Sequence, residues 1–319
     1  MASNFMLTHL TAPRLATVQS FFNTNSTEEL LGCYAWCQAV GASLLPILGD
    51  FEVTLRNAIH RGLSQHYSGT DSFDWMLKTR PNPAKQKNPG APDLAWHKLS
   101  ANTVKEIEKT VSKIKHKNRA PSVDDIVSKF SFGFWETIVG GLSHSSHPLG
   151  MQHAVLSVAF PHAPDLNTVT HGDAAFVRRL QDLLYQVRDV RNRIGHHDQI
   201  WKTPEFDAHG KLGFIPRRPR HSVTSLRMLA DRIAWVAGWI DPQIYTHIKN
   251  SDHWWSLQAL LTQKALAVYR KNGGRVGTYE AVIRSGIPHG FEAWPKSNSK
   301  LPDRAHQLSK RMTINQFFY

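Results

Sequence analysis

Ala174 to His197, AAFVRRLQDLLYQVRDVRNRIGHH, is the stretch whose reading decides the fold. Phe176, Leu180, Leu183, Val187, Val190 and Ile194 recur at steps of four and three, the spacing of one buried helical stripe. A polar cluster, Arg191-Asn192-Arg193-Ile194-Gly195-His196-His197, therefore ends a core helix. The spacing sets a permanent cation and a group that titrates near neutrality within about a turn of each other.

That pairing suits phosphate chemistry. Cleaving RNA without a metal needs a base for the 2′-hydroxyl, an acid for the 5′-oxygen, and a cation for the charge that grows on the phosphorane oxygens. Imidazole supplies the first two because its unperturbed pKa of about 6.5 lets it hold or release a proton near neutrality. Guanidinium supplies the third, as a planar donor fork matched to phosphate oxygens. On this reading Arg191 and His196 are the reacting pair, His197 substitutes for or positions His196, and Asn192 holds a tautomer or donates to phosphate. An ideal helix, however, turns His196 roughly 140° away from Arg191. Gly195 is expected to resolve this by taking the left-handed conformation that ends a helix, curling His196 or His197 back. The same residues also read as C-terminal cations set against the helix dipole, and pattern alone leaves both open.

Upstream, Ser26 followed by Glu29 reads as a capping box opening a helix through Leu30, Leu31, Tyr34 and Ala35. A second helix is expected from about Ser43 to Tyr67, with Leu44, Leu48, Phe51, Leu55 and Ile59 as its stripe. Glu52, Arg56 and His60 fall on one polar ridge of it, which reads either as a salt-bridged solvent face or as the flank of a pocket in which Glu52 orients an arginine. Residues 68 to 93 carry Gly69, Pro81, Pro83, Pro89, Gly90 and Pro92 and read as a long loop. The next helix, Leu94 to Asn118, buries Val104, Ile107, Val111 and Ile114 and leaves Lys105, Lys109, Lys113, Lys115 and Lys117 outward. That face reads either as a track for an RNA backbone or as a solvated surface. Ser122 starts a short helix, and Phe130 to Trp135 reads as aromatic core. His144, His147 and His153 match no standard metal spacing, and no metal or cofactor is expected. Beyond a loop from Trp201 to Pro219 that ends in Arg217, Arg218 and Arg220, a helix runs from Ser222 to Ile240 and stops at Asp241-Pro242. One more helix, about His253 to Tyr269, precedes the turn at Asn272-Gly273-Gly274.

The chain has 319 residues, a formal net charge of +13, ten tryptophans and two cysteines. This composition argues for a folded globule that meets polyanions, and against a disulfide or zinc framework. No stretch reads as a signal peptide or a span of roughly 18 apolar residues, so neither secretion nor a membrane is expected and a reducing cytoplasm fits. No Gly-rich phosphate loop is visible.

Three segments, in order, resemble one family. Arg191 to His197 resembles the RNxxxH signature of HEPN ribonucleases, and in particular the RNxxxHH of bacterial abortive-infection (Abi-like, AbiD/AbiF type) proteins. Phe51 to His60 is similar to that family's early ExxLRN helix, and Phe130 to Trp135 to its FGFW segment. The resemblance spans roughly Thr27 to Ile240. It implies a metal-independent endoribonuclease that acts as a toxic effector in phage defence or a toxin–antitoxin system. Arg191, Asn192, His196 and His197 would carry the chemistry, with Glu52, Arg56 and Asn57 supporting the pocket. It implies a homodimer whose two motifs form one composite site, an RNA substrate, and an inhibitor that is a small non-coding RNA or a protein antitoxin. Lys105, Lys109, Lys113, Lys115, Lys117, Arg193, Arg217, Arg218 and Arg220 are the candidate RNA contacts. The fold expected is all-α: a HEPN-like bundle over residues 1–245 and a basic helical extension over 246–319. A non-catalytic module that holds a structured small RNA is the alternative.

Overall fold

The computed structural model describes residues 9–69, 71–72, 74–77, 101–117, 121–144, 147, 150–164 and 170–292. The fold is all-α: the only β pairing among the described residues is an isolated bridge between Phe206 and Leu212. After α1 (Ala12–Phe22) comes α2 (Thr27–Ser68), a helix of 42 residues against which much of the molecule packs. Ser26 caps it as expected, its hydroxyl accepting from the Glu29 amide at 3.1 Å.

The two helices expected between Ser26 and Tyr67 are thus one, and the correction has an energetic reason. Pro46 lies inside α2, where a proline costs about 3 kcal/mol through a lost amide donor and a ring clash. Breaking the helix there would split a stripe in which Val40, Leu44, Ile47, Leu48 and Phe51 are all buried. Each such side chain contributes about 1.5–3 kcal/mol on burial, so continuity wins. Among the described residues α2 is also the one helix long and apolar enough to cross a membrane by length and composition. The expectation that no segment reaches that length is corrected. Of the apolar window, 61% is buried inside the protein, where it forms the core.

Short helices α3 (Asp74–Leu77), α4 (Ala101–Lys117) and α5 (Val123–Val127) follow, then α6 (Phe132–Gly141), α7 (Met151–Ala159) and α8 (Ala174–Gly195). On α4, Ile107 and Val111 are buried and the five lysines are exposed, as the stripe requires. Phe130, Phe132, Phe134 and Trp135 are core, with Phe130 stacked on Phe134 at 4.1 Å between ring centroids. The loop expected over 68–93 lies largely outside the described residues, as do residues 94–100 of the lysine helix and everything beyond 292.

Helix α9 (Pro219–Ile240) begins earlier than the Ser222 expected, because Pro219 fits the first helical position. Beyond it run α10 (Pro242–Lys249), α11 (Asp252–Leu260), α12 (Gln263–Asn272) and α13 (Thr278–Glu292). The single helix expected over 253–269 is therefore broken at Leu261. Tertiary partners claim its carbonyls: the Trp36 indole donates to that of Leu260 at 2.9 Å and Arg227 donates to that of Leu261. The Thr262 hydroxyl then caps α12 by accepting from Ala265 at 2.9 Å. Helices α11 and α12 lie along the first half of α2. Arg270 reinforces that seam by donating to the Phe22 and Asn23 carbonyls and pairing with Glu29 at 2.6 Å.

Two glycines of α2 permit its close contacts. A Cβ on Gly32 would overlap the Tyr269 carbonyl oxygen, and one on Gly62 would come within 2.5 Å of that of Val155. Gly32→Ala should therefore destabilise the fold by about 1–3 kcal/mol in urea unfolding, against a backbone that cannot yield. Gly49→Ala, on the same helix with nothing within 4 Å, should stabilise it by about 0.5–1 kcal/mol. Equal shifts for the two variants would show that the α2–α12 contact does not limit stability.

Candidate functional site

The stripe of α8 is seated as its spacing requires: Phe176, Leu180, Leu183, Val187 and Val190 are buried and Ile194 packs beside them. Gly41 of α2 faces Ile194 at 3.6 Å from its would-be Cβ, and Gly133 of α6 faces the Arg188 side chain. These contacts fix the end of α8 beside the middle of α2.

How that end is built differs from expectation. Gly195 stays helical, and the residue in the left-handed region is His197, at φ 52°. The His197 amide donates to the Ile194 carbonyl at 3.0 Å and the Asp198 amide to that of Arg193 at 2.7 Å. This is a Schellman ending, with histidine at the position glycine usually takes. A residue with a Cβ costs about 1–2 kcal/mol in that conformation. The strain places the imidazole where it meets Gln38 of α2, its Nδ1 at 2.9 Å from Oε1. His196 precedes it, exposed, with its carbonyl accepting from Arg14 of α1 at 3.4 Å.

Arg191 is about half exposed, and its one ion pair among the described residues, Nε to the Glu52 carboxylate, is long at 3.8 Å. Such a pair is worth at most about 1 kcal/mol, so the guanidinium is not committed to stability. Arg56, one turn along α2 from Glu52, has a buried Nε with no hydrogen-bond partner among the described residues. Asn57 is exposed and Asn192 half-buried. No hydrogen bond or ion pair among the described residues joins Arg191 to His196 or His197. Glu52 is thus brought to Arg191, and Gln38 of the same helix to His197. Arg193 is paired with Asp189 at 2.7 Å, and Arg217, Arg218 and Arg220 are exposed.

Behind the motif, Arg188 pairs with Glu136 of α6 at 3.1 Å. Burial pushes the Glu136 carboxyl up and Arg188 opposes it. His60 departs from the polar ridge proposed for Glu52, Arg56 and His60. It is buried, accepts at Nδ1 from the Trp75 indole at 3.1 Å and donates from Nε2 to Asp71 at 3.1 Å. Burial lowers its pKa and Asp71 opposes the shift. Its position explains the discrepancy: α3 covers this face of α2, which no spacing within α2 reveals. No group of three His, Cys, Asp or Glu among the described residues could hold a metal ion.

Two residues at the motif had no sequence signal, Gln38 and Arg14. They lie 159 and 182 residues from the groups they touch.

A model of the family described as Abi-like protein matches residues 3–202. No curated protein and no solved structure matches.

Two outcomes follow. His197→Gly removes the left-handed strain and should raise unfolding free energy by up to about 1 kcal/mol, whereas His197→Val should lower it; the reverse order would show that the ending is not Schellman-type. Because burial holds the folded-state pKa of His60 below its unperturbed value of about 6.5, the unfolded chain binds more protons as the pH falls through that value. The stability from this group is complete above that pH and is lost as the pH falls through the window below it. Urea titrations from pH 8 to 5 should show this loss, and His60→Gln should flatten it.

Proposed function

Since the chain belongs to the Abi-like protein family, which suggests a part in abortive infection as a defence against phage, we propose that it is a metal-independent endoribonuclease of HEPN type, the toxic effector of such a system. The observation that carries this reading is the end of α8. A strained backbone there presents one imidazole, a second stands beside it, and a loosely held guanidinium lies on the preceding turn. Histidine costs stability at a position that glycine would fill without strain, which supports a role for the side chain.

The chemistry needs only these groups. An imidazole takes the proton of the 2′-hydroxyl, whose oxygen attacks phosphorus; the bond to the 5′-oxygen breaks as a second imidazole protonates it. The products are a 2′,3′-cyclic phosphate and a free 5′-hydroxyl. Arg191 neutralises the phosphorane oxygens and Asn192 donates to them. Glu52 aims Arg191, and Arg56 and Asn57 support the pocket beside it. A site shared by two copies of the chain would let an imidazole of one serve as base and an imidazole of the other as acid. A small structured RNA or a protein antitoxin would restrain the enzyme in the cytoplasm.

The exposed lysines of α4 favour a second reading, a module that holds RNA without cutting it. One assay separates the two: labelled single-stranded RNA with excess EDTA, comparing wild type, Arg191→Ala and His196→Ala/His197→Ala. A catalyst loses cleavage by about 10²–10⁴-fold in the variants while keeping most of its RNA affinity, and the wild-type product ends in a 2′,3′-cyclic phosphate. RNA left uncut by all three, with an affinity that falls modestly and salt-dependently in the variants, would select the binding module.

A further inference from the structure

The contact between Gln38 and His197 does more than hold a loop. Nδ1 of His197 faces the amide oxygen of Gln38, which accepts a hydrogen bond and donates none. Nδ1 must then carry the proton in the neutral ring, leaving the lone pair on Nε2. Protonation leaves this bond intact, since both ring nitrogens donate in the imidazolium. Proton exchange is thereby confined to one atom, Nε2. The ring is also fixed in direction, by its left-handed backbone at one end and by a core helix at the other. Gln38 sits on α2 between Cys37 and Val40, both buried, and one turn from Gly41, which lets Ile194 approach. The amide is therefore carried on a rigid element.

We infer that Gln38 is a positioning residue that fixes the tautomer and orientation of His197 and makes its Nε2 the base that receives the 2′-hydroxyl proton. His196, whose side chain has no such partner among the described residues, is left for the complementary acid role. The inference rests on the ribonuclease reading for what the proton transfer serves, but the tautomer itself is a property of the protein alone. A neutral amide suits the task. It selects a tautomer as a carboxylate would, without adding a negative charge beside a phosphate substrate.

The test uses full-length protein with ¹⁵N-labelled histidine, assigning His197 by its loss in His197→Gly, and the labelled-RNA assay on the same samples. At a pH where the ring is neutral, wild type should show Nδ1 protonated and Nε2 bare. Gln38→Leu should release the ring to a mixture of tautomers and lower kcat by about 10–100-fold with KM nearly unchanged, the usual cost of removing an orienting partner. Gln38→Glu, which keeps an acceptor at that place, should restore the Nδ1–H tautomer and most of the cleavage. A wild-type ring protonated on Nε2, or a tautomer indifferent to Gln38→Leu, would overturn the inference. So would a tautomer that changes while kcat stays the same. If wild type leaves RNA uncut but its tautomer obeys Gln38, the orienting contact stands and the ribonuclease reading is what fails.

Discussion

A single helix that must be covered along its whole length governs this structure. Helix α2 runs 42 residues through an internal proline, and its buried positions extend from Leu30 to Leu63. No one neighbour can shield so long a stripe. Helices α11 and α12 lie along its first half, α7 packs against it at Gly62, and α8 is seated beside its middle. The position of the motif follows from that division. The end of α8 arrives at Gln38 because Ile194 is received at Gly41 one turn later.

Much of the fold was legible because helical burial leaves a periodic trace. The stripes of α4, α8 and α9 are written in their own residues, and so are the caps at Ser26 and Ser122. What could not be read depended on partners remote in sequence. The break at Leu261 exists because Trp36 and Arg227 take carbonyls that a continuing helix would have used. The burial of His60 exists because Trp75 and Asp71 come over it. Neither arrangement has a local signature.

The candidate site shows the same division. The residue types and their spacing around Arg191 to His197 were plain, and the ridge that carries Glu52 comes within 3.8 Å of Arg191. The backbone of the motif was not: the glycine at 195 drew the reading toward itself, while the chain stays helical for one residue more and turns at His197. A glycine close to a helix end permits a left-handed turn without dictating its position. The hydrogen-bond pattern of the last turn decides that, and here it falls two residues later.

The way α2 is covered also has a meaning in time. Synthesis runs from the N-terminus, so α8 and its motif leave the ribosome well before Leu260, Tyr269 and Arg270 do. Until those residues follow, Trp36 lacks its acceptor and the seam along the first half of α2, which carries Gln38, is only partly closed. The order in which the helices emerge thus leaves the helix that carries Gln38 and Glu52 incompletely covered when the motif is made, with more than a hundred residues still to come.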